Sequence, residues 1–234
     1  MKRLPPTVPA LRAPARALAA VRAESAARIR SATLANGLRV IVWPSASIPN
    51  VVINNWVRVG SRNEVPGLTG LAHFFEHMMF NGSAGFGPGE FDRLVESSGG
   101  ASNAFTTDDV TVYQTWIPRA ALELALSLEA DRIARLTFDP AIVERERRVV
   151  RSERRLCVDD NPAALLSERV QAAAFVAHSY RFPTIGLPED IGSWRLGDLR
   201  KFYRSYYAPG NQTFVIAGDV DADRALALAR KLLE

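Results

Sequence analysis

Two of the three histidines in this 234-residue chain stand four residues apart, in His73-Phe74-Phe75-Glu76-His77, and using them together constrains the fold more than any other feature does. On an α-helix, with His73 as origin, His77 falls about 40° to one side and Glu76 about 60° to the other. All three heads then share one face. Two imidazoles at i and i+4 can grip one divalent ion while the neighbouring carboxylate takes a proton from water, the inverzincin pattern H-x-x-E-H. The same five residues also fit an amphipathic helix whose histidines pack or meet solvent. A third ligand from elsewhere in the chain would separate the two readings.

The best source is the stretch from Glu144 to Arg155, which lacks Pro and Gly and continues a helical pattern begun near Pro140. Glu146 and Glu153 are seven positions apart, so they return to within about 20° of one another on a helix. A solvated helix laced with Glu/Arg pairs accounts for most of the charges here. By residue type alone, any buried carboxylate would serve as the third ligand.

The spacing resembles that of the pitrilysin-like (M16) metallopeptidases, in which H-x-x-E-H is followed some 75 residues later by a glutamate ligand, with another glutamate seven residues before it. Here Glu153 lies 76 residues beyond His77, and Glu146 occupies the earlier position. The resemblance implies that His73, His77 and Glu153 hold one Zn²⁺ per chain, that Glu76 is the catalytic base, and that Glu146 orients a ligand histidine from outside the ligand set. Imidazole and carboxylate donors also accept Mn²⁺ or Co²⁺.

The likeness runs from about Ala32 to the end. Gly60-Ser-Arg-Asn-Glu64 and Gly67-Leu-Thr-Gly-Leu-Ala-His73 match the family's glycine-rich approach to the metal helix, followed by Met78-Met-Phe-Asn-Gly-Ser83. Later landmarks are His178 to Pro183 with Gly186, Tyr206 to Asn211, and Gly218-Asp219. The segment Asn103 to Tyr113 resembles the strand pair beside the active site. By that resemblance Asn103, Ala104 and Phe105 form an edge to which an extended peptide adds as a strand. An interior strand with Phe105 in the core is the alternative.

Members of the family close a second homologous half over the zinc half, and that half supplies an arginine and a tyrosine to the substrate. This chain stops at Lys231-Leu-Leu-Glu234, where the first family domain ends. The expected function is therefore a zinc-dependent endopeptidase domain acting on extended or unstructured peptides, with a second M16-like half or partner subunit completing it. The alternative is a zinc-binding assembly subunit without catalysis.

Composition sets the outer bounds. With 47% apolar and 23% charged residues, the chain suffices for one sizeable core. No run approaches the ~18 apolar residues of a membrane span. The formal charge of +4 is unevenly placed: residues 1–30 hold seven Lys/Arg against one Glu, leaving 22 basic against 24 acidic residues in 31–234. The basic balance thus belongs to an Ala/Arg/Pro-rich tail, 1–30, and gives no reason to invoke nucleic acid for the domain 31–234. Arg12, Arg16 and Arg22 interrupt the apolar core that a secretory signal needs. An Arg-rich transit peptide or a simple lead-in both fit the tail, and the compartment stays open. Cys157 is the only cysteine, so no internal disulfide forms, and a buried free thiol is expected there.

Periodicity and turn signals give strands around Asn36-Gly37 within residues 33–43, then at 51–59, 102–107, 110–117 and 213–217. Helices are expected at 68–80, 90–97, 119–136, 140–158, 162–177, 196–206 and 222–233. Early strands, later helices and one returning strand suggest an α+β fold, a mostly antiparallel sheet with helices packed mainly on one face.

Overall fold

The structure, a computed structural model, describes residues 28–234. Six strands form one sheet: β1 (Arg30–Thr33), β2 (Arg39–Pro44), β3 (Asn50–Val57), β4 (Ala101–Thr106), β5 (Thr111–Pro118) and β6 (Gln212–Gly218). Their order is β1-β2-β6-β3-β5-β4, so β4 is an edge strand paired with β5 alone. Every neighbouring pair is antiparallel except β2 with β6.

Among the described residues, eight α-helices accompany the sheet: α1 (Leu71–Met78), α2 (Glu90–Ser97), α3 (Leu122–Arg135), α4 (Pro140–Arg154), α5 (Pro162–Ala174), α6 (Pro188–Ser193), α7 (Leu196–Tyr206) and α8 (Ala222–Leu233). The fold is α+β, as the order of elements suggests. Strand alternation decides which face the helices cover. Val40 and Val42 of β2, Val51 and Ile53 of β3, and Phe214 and Ile216 of β6 point to one side and pack with α2, α3 and α8. Val57 and Tyr113 extend that face under α1, α4, α6 and α7. The opposite face carries Trp43, Trp56, Phe105 and Trp116, each 38–45% exposed.

The β1–β2 hairpin turns at Asn36-Gly37, where Gly37 takes φ +89° and Leu34 N donates the closing backbone bond to the Leu38 carbonyl at 2.8 Å. Asn36 also donates to the Leu233 carbonyl at 2.6 Å, tying the turn to the end of α8.

Two expectations need correction. The helix expected over 140–158 leaves α-geometry after Arg154 and continues as a π-turn, Arg155–Asp159, none of whose residues is buried. Cys157 lies on that turn and is exposed, so the buried thiol expected there is absent. Helix α6 was not anticipated; at six residues it is too short to show a period, although Pro188 at its start and Glu189 and Asp190 in its first turn are helix-opening signals. The expected tail 1–30 lies outside the described residues through position 27, and Arg30 already opens β1.

Candidate metal centre

Helix α1 begins at Gly70, whose φ of +85° suits glycine, and a Cβ there would come within 2.6 Å of the Ile185 carbonyl and 2.8 Å of Gly186 Cα. The chain before α6 therefore presses directly on the start of α1. The N-terminal amides of α1 are taken by Glu64, whose carboxylate accepts from Gly70 N at 2.6 Å and Ala72 N at 2.7 Å. Burial pushes the Glu64 carboxyl up to about 8, against the lowering effect of those two amides. Asp190 of α6 accepts from Thr69 N at 3.0 Å and Thr69 Oγ1 at 2.6 Å, closing the same junction.

The body of α1 follows its apolar pattern. Leu71, Phe74, Phe75 and Met78 are buried, and Phe75 stacks on Phe202 with ring centroids 5.4 Å apart. That packing turns the opposite stripe, with His73, Glu76 and His77, toward α4 and β4.

Helix α4 is anchored at both ends. Asp139 caps it by accepting from Ala141 N at 2.7 Å, with Pro140 in the first turn. Near the other end Arg154 is buried, forks onto Glu168 with two 3.0 Å hydrogen bonds, and donates to the Gly186 carbonyl at 2.7 Å. Arg147 is buried too, donating to the Ile191 and Trp194 carbonyls. These two arginines depart from the expected solvated Glu/Arg face, because their guanidinium forks satisfy backbone carbonyls of the α6 region. The clamp at Arg154 fixes the last turn of α4, which carries Glu153.

His73 Nε2 lies 3.5 Å from Glu153 Oε1, and His77 Nε2 lies 3.3 Å from Glu153 Oε2. One ligand atom from each of the three residues falls within 4.8 Å of the others. Donors bound at roughly 2.0–2.1 Å to a tetrahedral ion are separated by about 3.3–3.4 Å along the tetrahedron's edges. The two His–Glu separations, 3.5 and 3.3 Å, are close to that length, each to a different oxygen of the Glu153 carboxylate. Glu153 Oε2 is buried and faces the cluster, with His77 Nε2 at 3.3 Å and no well-aligned hydrogen bond. Two imidazole nitrogens and one carboxylate are also the donor set that a catalytic Zn²⁺ takes, with a position left open.

Electrostatics follow from the same contacts. Hydrogen bonding from His73 and then His77 holds the Glu153 carboxyl well below the usual carboxylate range. Burial pulls His77 down, but the hydrogen bond and charge of Glu153, with the charges of Glu76 and Glu146, outweigh it and leave His77 raised. Glu146 is buried with Oε2 3.5 Å from His77 Nδ1, while its Oε1 accepts from Arg145 at 3.3 Å.

Glu76 is held from β4: Thr106 Oγ1 donates to Glu76 Oε2 at 2.6 Å. Sequence reasoning did not single out Thr106. Its only local signal is period-2 alternation, which puts Ser102, Ala104 and Thr106 on the helix-covered side and Asn103 and Phe105 on the open side. Phe105 meets Trp56 edge to face with ring centroids 6.5 Å apart, and it lies outside the core.

Comparison with known proteins adds the family. The model of insulinase, peptidase family M16, matches residues 39–186, a span that contains His73, Glu76, His77, Glu146 and Glu153. The chain belongs to peptidase family M16. The model of the M16 inactive domain matches residues 193–234, beyond the three candidate ligands. Among curated M16 relatives, the zinc protease PqqE of Helicobacter pylori is 37% identical over 205 residues, covering 87% of this chain and 46% of its own length. An uncharacterized zinc protease of Bacillus subtilis, YmxG, is 30% identical, covering 82% of this chain and 47% of its own length. The crystal structure of a protease from Helicobacter pylori superposes with a TM-score of 0.86 at 37% identity, over 88% of this chain and 50% of that one. The periplasmic protease PqqL of Escherichia coli gives 0.80 at 30% identity, over 88% of this chain and 24% of that one. The chain thus spans about half the length, or less, of the M16 relatives it matches. No helix among the described residues is long and apolar enough to cross a membrane.

Proposed function

We propose that residues 31–234 are the zinc-binding half of an M16 endopeptidase that cleaves extended or unstructured peptides, completed by a second M16-like half or partner subunit. The observation that carries this reading is the convergence of His73, His77 and the Glu153 carboxylate, one ligand atom from each lying within 4.8 Å of the others, with Glu76 on the same helix face. His73, His77 and Glu153 hold one Zn²⁺, and Glu146 orients His77 through Nδ1. When bound, the ion supplies Lewis acidity to a water and to the scissile carbonyl.

The remaining work falls to the chain's own groups. Glu76 accepts the proton of the attacking water at its carboxylate and returns it to the leaving amine. Thr106 fixes one carboxylate oxygen of Glu76, so the base is oriented before substrate arrives. The unpaired edge of β4 at Asn103, Ala104 and Phe105 binds the peptide as an added strand beside α1, through backbone groups that tolerate varied side chains.

The reading as a non-catalytic assembly subunit finds its one support in the inactive-domain match at residues 193–234, and that match excludes α1 and α4. The test is the E76Q variant, assayed for zinc content and for peptide cleavage, with and without a complementary M16 half. Zinc retained with cleavage lost by at least about 100-fold is expected. Wild-type zinc loading without cleavage under any partner condition would favour the assembly subunit, and cleavage by E76Q at the parent rate would remove Glu76 as the base.

A further inference from the structure

Beside Glu76 and His77 a pocket of about 260 Å³ opens between β4 and α2, walled by Phe80 and containing Asp92 and Ser102. Asp92 lies in the first turn of α2 and is only partly buried. Its Oδ1 accepts from Ser102 Oγ at 2.8 Å, and Oδ2 has no partner among the described residues. No Lys or Arg among the described residues pairs with Asp92. The adjacent Arg93 is drawn to Glu90 at 3.3 Å, and Arg132, which lies over the Phe80 ring, is neutralised by Glu129 at 3.0 Å. A half-buried carboxylate with a fixed orientation, an unused oxygen and no resident cation favours a cationic guest, because the charge-assisted hydrogen bond replaces lost hydration. Phe80 gives the apolar stem of such a guest a wall to pack on.

We propose that Asp92 makes this pocket selective for a Lys or Arg side chain of the bound peptide, at a position next to the cleaved bond. The proposal rests on the peptidase reading above and extends it from a backbone-recognised peptide to one with a basic residue at a defined place. Ser102 acts as the positioning residue, turning Oδ2 toward the pocket by holding Oδ1.

The test uses binding, so it does not require turnover. The full 234-residue chain carrying E76Q and loaded with zinc is titrated against fluorescent, otherwise neutral peptides in which a single Gln is replaced by Arg, Lys or Glu at each position in turn. At one position Arg or Lys is expected to bind about tenfold tighter than Gln. D92N in the same background abolishes that preference, D92K shifts it toward Glu, and S102A weakens it, with zinc content unchanged in all three. Equal affinity for basic and neutral peptides at every position, or a basic preference that survives D92N, overturns the assignment while leaving peptide binding by the domain intact. Failure of every peptide to bind overturns the assignment together with the β4 docking edge.

Discussion

Thr106 and Glu76, thirty residues apart, are joined by a 2.6 Å hydrogen bond in which the threonine hydroxyl donates to the carboxylate. It ties the edge strand of the sheet to the helix that bears both histidines. In the proposed peptidase, the strand that receives the substrate and the base that acts on it are thereby fixed relative to one another.

Removing that hydroxyl tests the coupling. T106V keeps the branched shape but cannot donate, and a hydrogen bond to a charged group contributes about 1.5–3 kcal/mol. Cleavage by the completed enzyme is expected to fall about tenfold or more, mainly in kcat, with zinc content unchanged and T106S close to wild type. Full activity in T106V would show that Glu76 needs no support from β4.

Glu146 faces His77 Nδ1 at 3.5 Å on the side away from Glu153. Replacing such a partner of a ligand imidazole typically weakens metal affinity about 10–100-fold. E146Q is expected to lose zinc to a competing chelator at correspondingly lower chelator concentration while retaining wild-type secondary structure. Unchanged affinity would reduce Glu146 to a buried partner of Arg145.

The α1 cap carries a pH signature. Glu64 has an ordinary value of 4.5 and is pushed up to about 8 in the fold, so the folded chain holds a proton that the unfolded chain has released. Its contribution to stability is full below the unfolded value and is lost as pH rises through the folded one. Denaturation midpoints of the zinc-free chain are expected to decline from about pH 5 to about pH 8.5 more steeply than those of E64Q. His77, also raised, contributes a decline to both proteins, so the difference between them isolates Glu64. Parallel curves would show that the carboxylate is already ionised.

How much of this was legible in the sequence depends on the range of the interaction involved. The face shared by His73, Glu76 and His77 was, because helical period alone brings the three together. Glu153 was legible only through its spacing in a family pattern: geometry put it on a face with Glu146, and nothing local aimed that face at α1. The insertion of β6 between β2 and β3 could not be read, since strand partners 155 to 174 residues apart leave no mark on either strand. The same holds for Thr106 and Asp92, whose strand and helix were anticipated but whose partners across the pocket were not. Cys157 went wrong for a local reason. The expected helix ran on through it, whereas the π-turn after Arg154 carries it outward.

The central claim is that His73, His77 and Glu153 hold one metal ion, and anomalous diffraction at the zinc edge from zinc-loaded crystals tests it most directly. One peak per chain is expected, about 2.0–2.2 Å from a nitrogen of each imidazole and from a Glu153 carboxylate oxygen. A zinc-loaded crystal with no peak between α1 and α4, or with a peak there that Glu153 does not approach, would contradict the claim.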